Sequence, residues 1–309
     1  MSELEKNQEE LRRLRRRRWE AERRRKRRLQ IASAGLITLV ALGAAVFVIG
    51  SNGRGDGATE SGGARAGSAE ASGGAVESPT RNLDDWRPWK GPVPILMYHP
   101  IQDPIPGSAY PDLFLERRDF IDQITWLEDS GYEAVTLSEV LDSWFDGGRL
   151  PEKPIVLSFD DGYQSQYLNG FTTMKRLGWP GLLNLKAKGA DIHDEQVEKM
   201  VAAGWEVASH SVNHLDMTEL SATQLEEEII ESRAILDRKF GIEVRNFCYP
   251  AGRYDGQAIE ALKRAGYRSA TSTETGLARP GDLWSLDRIR IDLGDGAAEL
   301  ASKLKAVGA

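Results

Sequence analysis

The chain has 309 residues, a formal net charge of −7 at pH 7 and one cysteine, Cys248. A single cysteine excludes an intramolecular disulfide, so the fold must rest on an apolar core, which a chain of this length can form. Residues 1–30 contain 13 of the 40 Lys and Arg residues but only 6 of the 47 Asp and Glu residues. The rest of the chain therefore has 27 basic and 41 acidic residues and is net acidic. A net acidic charge disfavours nucleic acid as a partner.

The first predicted element is a membrane anchor. Residues 31–50 are twenty consecutive residues without a charge, and as a helix they would span roughly 30 Å, the thickness of the apolar core of a bilayer. The basic segment 1–30 before them is predicted to stay in the cytoplasm by the positive-inside rule. The sequence therefore predicts a single-pass protein of the cell membrane whose C-terminal domain lies outside the cytoplasm. A cleaved signal peptide is the alternative, although its apolar core is usually shorter.

A flexible linker is predicted next. Residues 51–82 are rich in Gly, Ala and Ser and have almost no large apolar side chains. Such a segment cannot bury a core and is typical of a tether. A folded domain is predicted to occupy residues 83–309.

Strand-like and helical patterns alternate through this domain. The predicted strands are Val93 to Tyr98, Tyr132 to Leu137, Pro154 to Phe159, Pro180 to Leu185, Trp205 to Ser209, Val244 to Tyr249, Tyr267 to Thr271 and Leu286 to Ile291. The predicted helices are Asp119 to Ser130, Ser138 to Phe145, Glu195 to Ala203, Ala222 to Phe240 and Asp255 to Ala265. This alternation is typical of an α/β domain with a parallel sheet.

Two adjacent carboxylates follow the third predicted strand. Residues 158–162 read Ser-Phe-Asp-Asp-Gly and come after the apolar run 154–157. Loops at the carboxyl ends of parallel strands carry the chemistry in α/β folds. Because successive side chains point in opposite directions and a glycine lets the backbone turn, Asp160 and Asp161 can do different jobs. One can bind a metal while the other accepts a proton.

Two histidines follow the strand predicted from Trp205 to Ser209, in the sequence His-Ser-Val-Asn-His of residues 210–214. Two neutral imidazoles and one carboxylate form a three-ligand site for a divalent ion such as zinc. Such an ion activates water and polarises a carbonyl. Either motif alone has an ordinary explanation, since Asp-Asp-Gly is common in turns and a spacing of four is common on helix surfaces. Their conjunction indicates metal-assisted hydrolysis.

The two motifs closely resemble those of the polysaccharide deacetylases with a NodB homology domain, carbohydrate esterase family 4. The resemblance covers about residues 92–292 and implies an irregular (β/α) barrel. It implies Asp160 as the catalytic base, and Asp161, His210 and His214 as ligands of one divalent metal ion, for which zinc is expected. The Met-Tyr-His of residues 97–99 resembles the branch that includes deacetylases of poly-N-acetylglucosamine.

The third motif of the family differs in this chain. Many members have an Arg that orients the base and a backbone amide that forms the oxyanion hole. Here residues 247–252 read Phe-Cys-Tyr-Pro-Ala-Gly, so Cys248 stands where that Arg would be. The amide is expected at Ala251 or Tyr249, because any residue except proline has an N–H. Arg253 is a speculative substitute for the missing Arg.

The C-terminal histidine that supplies the general acid in many members is also absent. His99, at the end of the first predicted strand, is expected to replace it, with a buried structural histidine as the alternative. Its ordinary pKa near 6.5 suits a proton donor to an amine. The remaining histidine, His193, is expected at the surface near a helix start.

The resemblance implies hydrolysis of N-acetyl groups on the amino sugars of an extracellular or cell-wall polysaccharide. Tyr163, Tyr249 and Trp284 are guesses for aromatic rings that stack on sugar, and each is at least as consistent with core packing. Two alternatives stay open, an inactive glycan-binding or scaffolding protein and an amidase acting on a non-sugar amide.

Overall fold

A closed barrel of parallel strands forms the centre of the domain. A computed structural model of the chain describes Arg81 and residues 83–309. The predicted anchor, residues 31–50, and nearly all of the predicted linker lie outside the described residues. The strands are β1 (Arg87–Pro88), β2 (Ile95–Tyr98), β3 (Glu133–Ala134), β4 (Arg149–Leu150), β5 (Pro154–Asp160), β6 (Leu182–Leu185), β7 (Glu206–Ser209), β8 (Asn246–Cys248), β9 (Ser269–Thr275) and β10 (Leu286–Arg290).

Seven of these strands close the barrel, in the order β2, β10, β9, β8, β7, β6 and β5, with β5 pairing back to β2. All of their pairings are parallel. Strand β3 pairs in parallel with the first two residues of β5, and β1 and β4 form a separate antiparallel pair. Because the strands are parallel, all their carboxyl ends meet at one pole of the barrel. The prediction of an irregular (β/α) barrel is confirmed.

Helices cover the outside of the barrel. They are α1 (Arg117–Asp129), α2 (Leu137–Phe145), α3 (the consecutive segments Gln166–Phe171, Thr172–Met174 and Lys175–Leu177), α4 (Asp194–Ala202), α5 (the consecutive segments Ala222–Glu226, Glu227–Glu231 and Ser232–Phe240), α6 (Gly256–Arg264) and α7 (Ala297–Val307). The middle segment of α5 has the wider turns of a π-helix.

Strand β5 shows how the barrel places polar groups inside. All seven of its residues are buried. Leu157 and Phe159 belong to the larger apolar cluster, which includes helix residues such as Phe120 of α1. Since strand side chains alternate between the two faces, Ser158 and Asp160 point the opposite way, into the barrel. The inside of the barrel therefore carries polar side chains that lead to the pole where the carboxyl ends of the strands meet.

Besides the two-residue strands β1 and β4, which were not predicted, the observed elements differ from the predicted ones in three places. The strand predicted from Tyr132 to Leu137 is reduced to the two residues of β3, because Thr136 caps α2 in a capping box with Glu139. Helix α7 and the short helix α3 were not predicted. Helix α3 contains Gly170 and a π-helical turn, which weaken the usual helical pattern.

Within the part of the chain that the structure describes, no helix is long and apolar enough to cross a bilayer.

Candidate active site

Strained backbone marks the three sequence motifs. In the described region, the non-glycine residues with a positive φ are Asp161, Ser211, His214 and Ala251. This left-handed conformation is costly for residues with a Cβ and is retained where the surrounding structure enforces it. One of the four lies in the first motif, two in the second and one in the third. The turn at Asp161, which directly follows β5, sends its side chain away from that of Asp160.

Asp161, His210 and His214 come together at the carboxyl pole. Their ligand atoms all lie within 4.8 Å of one another. The Oδ1 atom of Asp161 is 3.4 Å from Nε2 of His214 and 3.8 Å from Nε2 of His210. A carboxylate and two imidazoles at these distances can close around one divalent ion with a small adjustment of side chains. The residues therefore fit the metal that the resemblance implies.

The hydrogen bonds around the two histidines suit metal binding. Nδ1 of His210 lies 2.7 Å from the carbonyl oxygen of Cys248, and since a carbonyl only accepts, that nitrogen carries the proton. With Nδ1 held by that carbonyl, Nε2 is the atom that faces Asp161. Although burial lowers it, Cys248 and the carboxylates of Asp160 and Asp161 raise the pKa of the His210 imidazole to about 9, so a metal ion would bind Nε2 by displacing its proton. Burial, followed by the charge of His210, lowers the pKa of His214 to about 4. Its imidazole is therefore neutral at pH 7, which is the form that binds a metal.

A buried glutamate of α5 holds the loop between the two histidines. Oε2 of Glu228 accepts hydrogen bonds from the amides of Val212 and Asn213 at 3.0 and 2.8 Å. Oε1 accepts a third from the side-chain amide of Asn213 at 2.6 Å. Glu228 lies in the π-helical segment of α5, a feature that is often found at functional sites.

Asp160 lies deep in the barrel and is held by Arg288 of β10. The guanidinium donates to Oδ1 and Oδ2 of Asp160 at 2.8 and 2.9 Å, and Asn184 of β6 donates to Oδ1 at 2.6 Å. Burial raises the pKa of the Asp160 carboxyl, but the charge and hydrogen bonds of Arg288 outweigh it and hold that pKa well below its usual range. Asp160 is therefore ionised at pH 7, as a general base must be.

His99 faces the same space from the end of β2. Its Nε2 atom lies 3.8 Å from Oδ2 of Asp160. Burial lowers the pKa of His99 more than the neighbouring carboxylates raise it. The side chain of Gln166 ties the two strand ends together, since its amide donates to the carbonyls of Asp160 and His99 at 2.6 and 3.2 Å. The positions of the base and the imidazole are thus coupled.

The third motif offers one amide more readily than the other. The N–H of Tyr249 donates to the carbonyl of Thr271, as part of the pairing between neighbouring strands. Ala251, in contrast, lies in an exposed turn with φ 52°. Of the two amides predicted for an oxyanion hole, that of Ala251 is at the surface of the pole.

The three aromatic residues guessed to contact sugar lie in different surroundings. Tyr163 is half-buried, and its pKa is raised first by burial and then by the nearby carboxylate of Asp161. The ring of Tyr249 is fully buried, and its hydroxyl donates to the carbonyl of Trp284. Trp284 precedes β10, and Lys263 of α6 lies over its ring. The structure brings only Tyr163 next to the metal ligands.

Two further residues considered from the sequence lie away from the base. Arg253 is paired with Asp216 at 3.6 Å, so the guanidinium that contacts Asp160 belongs to Arg288 instead. His193 is exposed directly before α4, where its amide donates to Gln196.

Sequence reasoning missed four polar residues that support the site, namely Asn184, Lys186, Glu228 and Arg288. One signal was available for Arg288, because a charged residue inside a predicted barrel strand must find a buried partner. The neighbouring Arg290 has the same facing in the strand pattern, so the sequence alone does not distinguish the two. The other three carry no motif.

Comparisons with known proteins agree with this geometry. Residues 147–270 match the family model described as polysaccharide deacetylase. That region includes Asp160, Asp161, His210 and His214, whereas His99 and Arg288 lie outside it.

Individual relatives extend the match. The Bacillus subtilis protein YxkH, which carries the name of a polysaccharide deacetylase, is 30% identical over 207 residues, covering 65% of this chain and 72% of that protein. The poly-beta-1,6-N-acetyl-D-glucosamine N-deacetylase of Escherichia coli is 26% identical over 230 residues, and the chain spans only 34% of its length. The solved structure of the Streptococcus pyogenes deacetylase PplD in complex with acetate matches with a TM-score of 0.65 and 26% identity, covering 70% of this chain and 99% of that one.

Proposed function

The chain belongs to the polysaccharide deacetylase family, and from that premise we propose that it is a metal-dependent hydrolase of N-acetyl groups on amino sugars. The observation that carries the proposal is the convergence of Asp161, His210 and His214 beside a separate, ionised carboxylate, that of Asp160. A general base next to a three-ligand metal site is the minimum equipment for hydrolysing an amide with water.

Asp161, His210 and His214 would hold the ion. A divalent ion bound there would polarise the acetyl carbonyl and make water a better nucleophile at neutral pH. Zinc suits the ligands, because two imidazoles and a carboxylate are a common zinc set with room for water and substrate.

The remaining groups move the protons. Asp160 accepts the proton of the attacking water, and Arg288 keeps the carboxylate ionised and fixed in orientation. The amide of Ala251 donates a hydrogen bond to the developing oxyanion. Because burial lowers its pKa, His99 is neutral before the reaction; it receives the water proton from Asp160, 3.8 Å away, and delivers it to the departing amine, so that acetate and a free amino sugar leave.

The substrate is proposed to be a neutral N-acetylated glycan outside the cytoplasm. The excess of acidic over basic residues beyond residue 30 supports a neutral rather than a polyanionic polymer. The charge-free run 31–50 after a basic segment supports a single membrane anchor that holds the domain at the outer side of the cell membrane. Fractionation of cells that express the full chain, followed by protease treatment of intact cells, tests the location. Protection of the domain in intact cells would contradict it.

Acetate release tests the activity. The full chain, purified in detergent and supplied with zinc, is incubated with chitooligosaccharides, with poly-N-acetylglucosamine and with peptidoglycan. We expect release from at least one of them, loss of release after chelation, and recovery on adding metal. Glycan binding without any release would contradict the proposal and favour an inactive binding protein.

A further inference from the structure

Lys186 lies between the strands that supply the metal ligands. It directly follows β6, which is flanked by β5, ending beside Asp161, and by β7, ending beside His210. The next two amides, those of Ala187 and Lys188, donate to the carbonyls of Ser211 and Val212 at 3.0 and 3.2 Å. The backbone after Lys186 is thus fastened to the loop that carries the two histidines.

The side chain points into the site. Its side-chain exposure is 21%, which is low for a lysine, and Nζ lies 3.9 Å from Oδ1 of Asp161. Lys188, two residues further on, is exposed. A lysine that served only solubility would be exposed like Lys188, because its ammonium group is strongly hydrated.

The position of Lys186 works against tight metal binding. Asp161 brings the one negative charge among the three proposed ligands, and the ammonium of Lys186 opposes the attraction of that charge for a divalent cation. Asp160 does not make up the difference, because Arg288 already pairs with both of its oxygens. The charges of Asp160, Asp161, Lys186 and Arg288 sum to zero, so a bound divalent ion gives the site a net charge of two positive units.

A centre with this excess favours anions. The proposed reaction starts from a neutral amide and passes through a tetrahedral oxyanion. It ends with a carboxylate, as the acyl carbon gains the oxygen of water and the amine leaves with a proton. Only the later species are negative, so a cation near the metal stabilises them over the substrate.

We propose that Lys186 is an anion-binding residue of the active site, which holds the oxyanion and the acetate product at the expense of metal affinity. The inference rests on the proposed function. It assigns to Lys186 a role in transition-state and product binding that none of the motif residues performs.

Three variants test it in the full-length chain. Lys186→Met removes the charge and keeps most of the apolar stem, Lys186→Arg keeps the charge, and Lys188→Met is the matched control. Zinc affinity is measured by competition with a chromophoric chelator. Acetate affinity of the zinc-loaded protein is measured by calorimetry, which needs no turnover. Circular dichroism and thermal unfolding report whether each variant is folded.

In Lys186→Met we expect zinc to bind about tenfold more tightly and acetate about tenfold more weakly, the change expected for one unit charge at this distance. Lys186→Arg and Lys188→Met should stay within about twofold of the unmodified protein. Unchanged acetate affinity in folded Lys186→Met overturns the inference, as does unchanged zinc affinity. If the unmodified protein releases no acetate from any glycan, the proposed function is wrong. The zinc and acetate affinities of the variants still test the role of Lys186 in that case.

Discussion

Arg288 donates one hydrogen bond to each carboxylate oxygen of Asp160, although 128 positions of sequence separate the two residues. The same guanidinium donates to the hydroxyl of Ser158 and to the carbonyl of Ser272, so each of its three nitrogens donates a hydrogen bond inside the barrel. A paired and fully hydrogen-bonded charge is the condition under which a buried Arg is tolerated. The arrangement fixes both the ionisation and the orientation of the base.

Replacing Arg288 by Met should move the acid limb of the pH profile upward. Burial raises the pKa of Asp160 and Arg288 lowers it, so removal of the guanidinium leaves burial to raise that pKa above its ordinary value. The base is then protonated at higher pH, and kcat/KM falls earlier as pH decreases. The check is kcat/KM between about pH 4 and about pH 9, where such limbs are resolved.

Arg288→Lys is the companion variant, because it keeps the charge and loses the two parallel hydrogen bonds. Its acid limb should stay near that of the unmodified protein, while kcat falls by roughly tenfold to a hundredfold through poorer orientation of the base. Thermal unfolding identifies variants that have lost the fold, since an unpaired buried charge costs about 3–5 kcal/mol. An unshifted acid limb in folded Arg288→Met would show that Arg288 does not set the ionisation of Asp160.

The adjacent aspartates should separate into two phenotypes. Asp160→Asn removes the proposed base and keeps all three proposed ligands, so zinc should bind while acetate release falls by roughly a thousandfold or more. Asp161→Asn removes the anionic ligand, so zinc affinity and activity should fall together. Zinc affinity by chelator competition, set beside acetate release, distinguishes them. Equal zinc affinities in the two variants would mean that the roles are assigned wrongly.

Glu228→Gln should weaken metal binding from a distance. The carboxylate accepts hydrogen bonds from the backbone amides of Val212 and Asn213, between His210 and His214, and its replacement by a neutral amide weakens that anchor. Loss of such an outer contact typically weakens metal affinity by about 10- to 100-fold. Activity should return at high zinc concentration, which a general loss of fold would not allow.

The control for this variant is Glu227→Gln, a change of the neighbouring exposed carboxylate in the same helix turn. It should leave zinc affinity within about twofold, since a surface charge contributes little. If both variants have the same zinc affinity, Glu228 has no special part in holding the histidines.

The alternating strands and helices could be predicted because their evidence is local, whereas closure into a barrel followed only from the resemblance to the family. Apolar runs such as residues 154–157 and glycines such as Gly204 punctuate strands and helices one at a time. The two short motifs likewise contain Asp160, Asp161, His210 and His214 within a few residues of a strand end. These features need no knowledge of contacts between distant parts of the chain.

The supporting residues could not be predicted in the same way. Arg288 acts on Asp160 from β10, which is not a neighbour of β5 in the barrel, and Glu228 reaches the histidine loop from the π-helical segment of α5. Both facts depend on strand order and helix register, which single-residue patterns do not encode. The substitution of Cys248 for the usual Arg was visible, but the origin of the replacing guanidinium was not.

The role of His99 can be tested with two substrates whose leaving groups differ in their need for a proton. If its imidazole protonates the departing amine, His99→Gln should lower kcat/KM for an N-acetyl amino sugar by roughly 10²- to 10³-fold. An aryl acetate releases a phenolate, which leaves without a proton, so kcat/KM for that ester should fall by less than about tenfold. Both substrates are assayed on the same zinc-loaded preparations.

His193→Gln is the matched control, because His193 is exposed and contacts none of the proposed ligands. It should leave both substrates unaffected. Equal losses on the two substrates in His99→Gln would place the imidazole in the attack step rather than in departure of the amine. His99 lies 3.8 Å from Asp160, so it could affect the attack step by orienting the carboxylate of the base. Equal losses on the two substrates would identify that role.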